Sequence, residues 1–146
     1  MTTEGAPVSY GEAAARLRVA VARLARQLRQ SSPGGLSPSQ WSALVSIDDY
    51  TSLRIGDLAE REGVSAPTAT RLVASLEEVG LLARTTDPAD RRTAYVSLTE
   101  AGKSKLTWAR EAASASLADR ISSMPEGDYG RLVELIPLLE SLLRTE

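Results

Sequence analysis

Apolar residues recur along this chain mostly at helical spacing, broken once by two short alternating runs. Leu17, Ala20, Val21, Leu24 and Leu28 form one stripe behind the capping box Ser9-Tyr10-Gly11-Glu12, which predicts a helix from there to about Gln30. Residues 1–8 ahead of it read as a frayed tail. After the break Ser31-Ser32-Pro33-Gly34-Gly35, a second capping box, Ser37-Pro38-Ser39-Gln40, opens a helix carrying Trp41, Leu44, Val45 and Ile47. Asp48 to Ser52 end it. Leu53-Arg54-Ile55 is short enough to be an added strand.

The stretch from Ile55 to Gly102 has the densest pattern. A short helix, Gly56 to Glu62, is stopped by Gly63. The turn Gly63-Val64-Ser65 leads into a second helix, Ala66 to Val79, stopped by Gly80. Ser65 caps it through the amide of Thr68, and Pro67 sits in the first turn, where a missing N–H costs nothing. Ala69, Leu72, Val73, Leu76 and Val79 are expected to face the core. Pro67, Thr68, Thr70, Arg71, Ala74 and Ser75 occupy the other side. Two extended runs follow, Leu81 to Thr85 and Ala94 to Leu98, around the charged loop Asp87-Pro88-Ala89-Asp90-Arg91-Arg92. Helix, turn, helix and a hairpin with a basic tip is the layout of a winged helix-turn-helix, which reads DNA. A helix-turn-helix spacing alone is weak. Arg84, Arg91 and Arg92 around the hairpin set DNA binding ahead of a purely structural α+β unit.

Thr99 caps a long helix to about Ser122, with Leu106, Ala109, Ala113, Leu117 and Ile121 on one side and Trp108 on another. Pro125 is expected to start the last helix, which runs to about Arg144 and holds Pro137 inside it, where a lost hydrogen bond bends it. Leu132, Leu135, Ile136, Leu138, Leu139, Leu142 and Leu143 exceed what one face of a solitary helix needs. With Leu17 and its stripe, they predict a dimer interface built from the two chain termini. Plain intramolecular core is the alternative.

The run V-S-x-P-T-x-T-R-L-V-x-x-L-E-E-x-G-L-x-x-R, followed by D-P-x-D-R-R and V-x-L-T-E-x-G, resembles the multiple-antibiotic-resistance-regulator (MarR) family of bacterial transcription regulators. The motifs are ordered and correctly spaced, and the flanking helices extend the resemblance over nearly the whole chain. It implies a mostly α fold with a small β-hairpin wing. The single 1–146 unit divides into dimerisation helices at 9–35 and 99–146 and a DNA-binding region at 36–98. It also implies a homodimer on double-stranded, pseudo-palindromic DNA. The helix at Ala66 to Val79 would enter the major groove, and Arg92 would reach the minor groove. Family wings often carry a further Arg where this chain has Ala89, which weakens the expected grip on phosphate. Asp90 is expected to be structural, orienting Arg92 or Arg84 by a charged hydrogen bond.

Composition narrows the chemistry. The 146 residues suit one domain, able to bury roughly two thirds of its unfolded surface. There is no cysteine and no histidine. That removes disulfides, thiol sensing, Cys or His metal sites and the usual nucleophile–base pairs. No cofactor is expected, and an enzyme is the least favoured reading. No stretch suits a membrane span or an export signal, so a cytoplasmic location is expected. The net charge of −2 argues against nonspecific coating of nucleic acid, though not against a specific reader. Apart from Lys103 and Lys105, every cation is arginine, whose planar fork suits phosphate and guanine. A GC-rich genome gives the same bias.

The family often adds a small-molecule effector. Its cleft would be lined here by Tyr10, Arg16, Leu17, Trp41, Tyr50 and Trp108, and would suit a small apolar or aromatic acid. These aromatics serve equally well as packed core. Three functions stay open at this point: a repressor relieved by such a ligand, a DNA-binding regulator without an effector, and a dimeric interaction module that does not bind DNA.

Overall fold

Every helix whose first turn carries a hydroxyl cap in the sequence begins at that cap. The computed structural model describes residues 8–30 and 34–144. The tail and the Ser31-Ser32-Pro33 break therefore lie largely outside the described residues. In chain order the elements are α1 (Tyr10–Gln30), α2 (Pro38–Tyr50), β1 (Leu53–Arg54), α3 (Ile55–Glu62), α4 (Ala66–Glu78), β2 (Leu82–Thr86), β3 (Ala94–Leu98), α5 (Glu100–Ser122) and α6 (Asp128–Ser141). The Glu12 amide donates to Ser9 Oγ at the start of α1 (3.2 Å). Ser37 and Gln40 close both arms of their capping box at 3.2 and 2.9 Å. Thr68 N donates to Ser65 Oγ (3.3 Å) at α4, and Gly102 N to Thr99 Oγ1 (3.0 Å) at α5.

The three strands form an antiparallel sheet in the order β1-β3-β2. Leu53 pairs with Val96 and Leu82 with Leu98, and all four side chains are buried. Period-two alternation then puts Arg54 opposite Tyr95 on the outer face. The buried face of the sheet meets Leu44 and Ile47 of α2, Leu58 of α3, Val73 and Leu76 of α4, and Leu106 of α5 in one apolar cluster. Ion pairing and hydrogen bonding support the same unit from outside. Arg110 of α5 reaches Asp48 of α2 at 2.8 Å, and Ser46 donates to Glu62 at 2.6 Å.

α4 is bolted to α5 at one junction. Gly80, at φ +75, ends α4 in the left-handed conformation that suits glycine. Its amide donates to Glu77 O, and the next amide, Leu81 N, returns to Leu76 O (2.9 Å each). The Thr99 hydroxyl donates to Gly80 O (2.6 Å), while Thr99 N donates to Leu81 O (3.1 Å). A Cβ at Gly102 would collide with the Leu81 carbonyl oxygen. Only glycine lets the first turn of α5 approach this closely.

Several expectations shift. Val79 is 63% exposed and caps α4 instead of joining the core, because Gly80 turns the chain before Val79 can point inward. Leu81 belongs to that turn, and the strand starts one residue later. The last helix starts at Asp128, not Pro125. The Asp128 amide donates to Pro125 O (3.2 Å), so Pro125 begins a turn, and Gly127 at φ +95 is the cap. It ends at Ser141, short of Arg144. Pro137 lies within it as expected. Trp41 is half-buried and not full core.

Among the described residues, neither α1 nor α6 contains a buried side chain. Leu17 and Leu139 are each 39% exposed and Leu142 is 69% exposed. Leu135 is also exposed and Leu132 half-buried. Leu17 and Val21 of α1 share an apolar groove of about 530 Å³ with Ile136, Leu139 and Leu142. No helix among the described residues is long and apolar enough to cross a membrane.

Gly102→Ala should lower the unfolding free energy by roughly 1–3 kcal/mol, the usual range for overpacking. Denaturant titration checks this, and an unchanged midpoint would mean that the Leu81 carbonyl can step aside.

Candidate nucleic-acid interface

Capping leaves the N-terminal half of α4 exposed and open. Ser65, Pro67, Thr68, Thr70 and Arg71 all face solvent. Their hydroxyls are partly committed. Ser65 Oγ and Thr68 Oγ1 lie 2.9 Å apart, and Thr70 Oγ1 donates to Ala66 O at 2.9 Å. Arg71 makes no hydrogen bond or ion pair among the described residues. It is therefore the free cation of the helix.

The wing loop is shaped by its two acids. Asp87 Oδ1 accepts from Ala89 N (2.9 Å), and Asp90 Oδ1 accepts from Arg92 N (3.0 Å). Asp90 Oδ2 also accepts from the Thr93 hydroxyl (3.1 Å), and Asp90 O from Thr93 N (2.9 Å). Asp87 N closes the hairpin onto Thr93 O (2.9 Å). These are Asx-type turns, side chains folding their own backbone. Asp90 thus holds the main chain of Arg92 and the hydroxyl of Thr93, and not the guanidinium of Arg92 or Arg84. Arg91 and Arg92 stand exposed at the tip.

Arg84 differs from the tip arginines. It faces Val96 across the hairpin and pairs with Glu77 of α4 at 3.0 Å, with about a third of each side chain exposed. The pair braces wing against helix. Solvent screening makes its own contribution to stability small.

Between α4 and the wing lies a polar groove of about 360 Å³. Thr70, Arg84 and Arg92 line it, together with Arg54 and the first turn of α3. Arg54 was not legible as a site residue. Nε and Nη2 both donate to the Tyr95 hydroxyl, each at 3.1 Å. That contact raises the pKa of Arg54, and the hydrogen bond to the Glu100 carboxylate raises that of Lys103. The signal was the Leu53-Arg54-Ile55 strand: once it pairs with β3, Arg54 falls opposite Tyr95.

Comparison with known proteins agrees with this arrangement. Residues 36–94 match the model of the MarR family. An HTH-type transcriptional regulator of Mycobacterium bovis is 36% identical over 131 residues, 89% of this chain and 92% of that protein. The chain belongs to the MarR family. It is a DNA-binding transcription regulator and not an enzyme. The HTH-type transcriptional repressor MdtR of Bacillus subtilis is 29% identical over 112 residues, 77% of this chain and 72% of MdtR. A MepR mutant of S. aureus, solved bound to an oligodeoxyribonucleotide, superposes with a TM-score of 0.68 at 18% identity, over 90% of this chain and 97% of that one. That last likeness concerns the fold.

The six residues expected around an effector in this MarR-family chain are dispersed in character. Tyr10 is 98% exposed and Arg16 is exposed. Leu17 lines the terminal groove. The Arg61 guanidinium stacks on the Tyr50 ring, 3.7 Å from its centroid. Trp108 is 44% exposed, with Lys105 above its ring at 5.6 Å. Gly34 lies close to the same ring: an added Cβ there would meet the indole at 2.7 Å.

Glu77→Gln should release Arg84 towards DNA. If Arg84 then meets a phosphate, the slope of log K against log salt should steepen by about 0.9. A slope equal to the native one would show that Arg84 is a strut only.

Proposed function

We propose that this regulator is a homodimeric repressor that reads a pseudo-palindromic operator and releases it when a small apolar or aromatic acid binds. The observation that carries the dimer is the exposed leucine surface of α1 and α6, next to a core that ends at Ala109 in α5. Two helices with no buried side chain gain little from their own chain, since packing of an apolar face supplies most helical stability. A second copy laid over Leu17, Leu132, Leu135, Leu139 and Leu142 supplies that face. Leu17 and Leu139 already share one groove.

Two-fold symmetry then pairs two α4 helices, and half-site centres fall about one helical turn, roughly 10 base pairs, apart. Arg71, uncommitted on the exposed face of α4, is the proposed base contact, with Ser65, Pro67, Thr68 and Thr70 fitting the helix to the groove. Arg91 and Arg92 are the proposed wing contacts, and Arg84 a conditional one. Repression follows where such a site overlaps a promoter, and MdtR is named a repressor.

The effector part rests on Tyr10, Arg16, Leu17, Trp41, Tyr50 and Trp108. A second reading, a regulator without an effector, is favoured by one observation: the Tyr50 ring already carries Arg61 on its face.

Leu139→Glu should give a chain of monomer mass in sedimentation at micromolar concentration, with DNA binding lost alongside. A Leu139→Glu dimer would remove the terminal-helix interface from consideration.

For the effector, calorimetric titration of salicylate into free and DNA-bound protein decides between the two readings. A coupling of about 1–3 kcal/mol weakens each ligand's binding roughly 5–150-fold in the presence of the other. Equal affinities in the two titrations exclude salicylate as an effector, however tightly it binds.

A further inference from the structure

We propose that Arg54 is an additional phosphate contact, lining the groove between α4 and the wing and aimed there by the Tyr95 hydroxyl. The inference rests on the reading that α4 enters the major groove and the wing the minor groove. Those two grooves are separated by a sugar–phosphate strand. Whatever lies between the two reading elements must meet that strand. Here that space is the polar groove lined by Arg54, Arg84, Arg92 and Thr70.

The charges in it are unequal. Arg84 is paired with Glu77 at 3.0 Å. Arg54 and Arg92 have no ion pair among the described residues. Asp57 also lines the groove and opposes an anion there. It sits in the first turn of α3, where an acid stabilises the helix start. Arg54 itself is the residue before that helix and gives it no side-chain cap. Its guanidinium spends two N–H groups on one oxygen, Tyr95 Oη, and lies 5.4 Å from the ring centroid. Five N–H donors are available to an arginine, so three remain for a phosphate. Tyr95 is a positioning residue: it fixes which edge of the fork is left free. Because Arg54 ends β1 and Tyr95 lies in β3, the same bond ties the first helix of the reading unit to the wing.

The test uses the full chain and a duplex enriched by the native protein from a random pool, with a scrambled duplex as control. Affinity is followed by fluorescence anisotropy over about 50–300 mM KCl. Arg54→Ala should lower the salt slope by about 0.9 and weaken both duplexes by the same factor, as a phosphate contact does. Arg54→Lys keeps the charge and should keep the native slope. Tyr95→Phe should weaken binding at native slope, since the cation remains but is no longer held. Arg71→Ala, the proposed base contact, should instead reduce the preference for the enriched duplex. A native slope in Arg54→Ala overturns the proposal. So does an equal loss of melting temperature and affinity in Arg54→Ala and Tyr95→Phe with both slopes native, which makes the pair a strut. If the native chain enriches no duplex, the groove reading beneath the proposal fails with it.

Discussion

The close approach of Gly102 to the Leu81 carbonyl governs how the rest of the molecule is joined. On one side of that contact is the end of α4, the helix proposed to read DNA. On the other is the first turn of α5, the element that leaves the core. Thr99 grips both peptide units of the Gly80-Leu81 turn, one with its hydroxyl and one with its amide. Such a joint transmits rotation rather than absorbing it, because close-packed interiors have few intermediate arrangements. Any reorientation of the first turn of α5 must therefore reappear at the end of α4.

Much of this was legible in the sequence, because the deciding signals are local. Ser37, Ser65 and Thr99 each cap the helix that follows, and Gly63 and Gly80 end the helices they follow. The hairpin register follows from Leu82, Val96 and Leu98 on one face. What escaped was non-local or one residue out of phase. Val79 fits the helical period and still faces solvent, since the period says nothing about where the chain turns. Pro125 looked like a first-turn proline but precedes a glycine cap. Arg54 gains its place only from cross-strand pairing, and Arg84 loses its freedom only through Glu77, seven residues away. As an acid beside two arginines in sequence, Asp90 suggests a charged pair. Its two oxygens instead go to the backbone amide of Arg92 and the hydroxyl of Thr93.

On the face formed by α4 and the wing, a chain of net charge −2 sets acids among arginines. Asp87, Asp90 and Glu77 lie within that face, yet each is occupied by a turn amide or by Arg84. Their charge is partly engaged in shaping the wing. Arg71, Arg91 and Arg92 make no ion pair among the described residues, so their guanidinium groups stay available to an anion. A net charge of −2 gives little long-range attraction to nucleic acid, so DNA binding depends on contacts made at short range.

The two Asx turns also bear on the thermodynamics of association. A loop that folds on its own side chains has already lost its backbone freedom in the unbound protein. Ordering one residue costs about 1–2 kcal/mol, so a floppy tip of the same length would charge that ordering to each encounter with DNA. Here the charge falls on folding. If the wing enters a groove, as proposed, association carries little of the heat-capacity signature of coupled folding and binding, and a tip already shaped selects the groove width it fits.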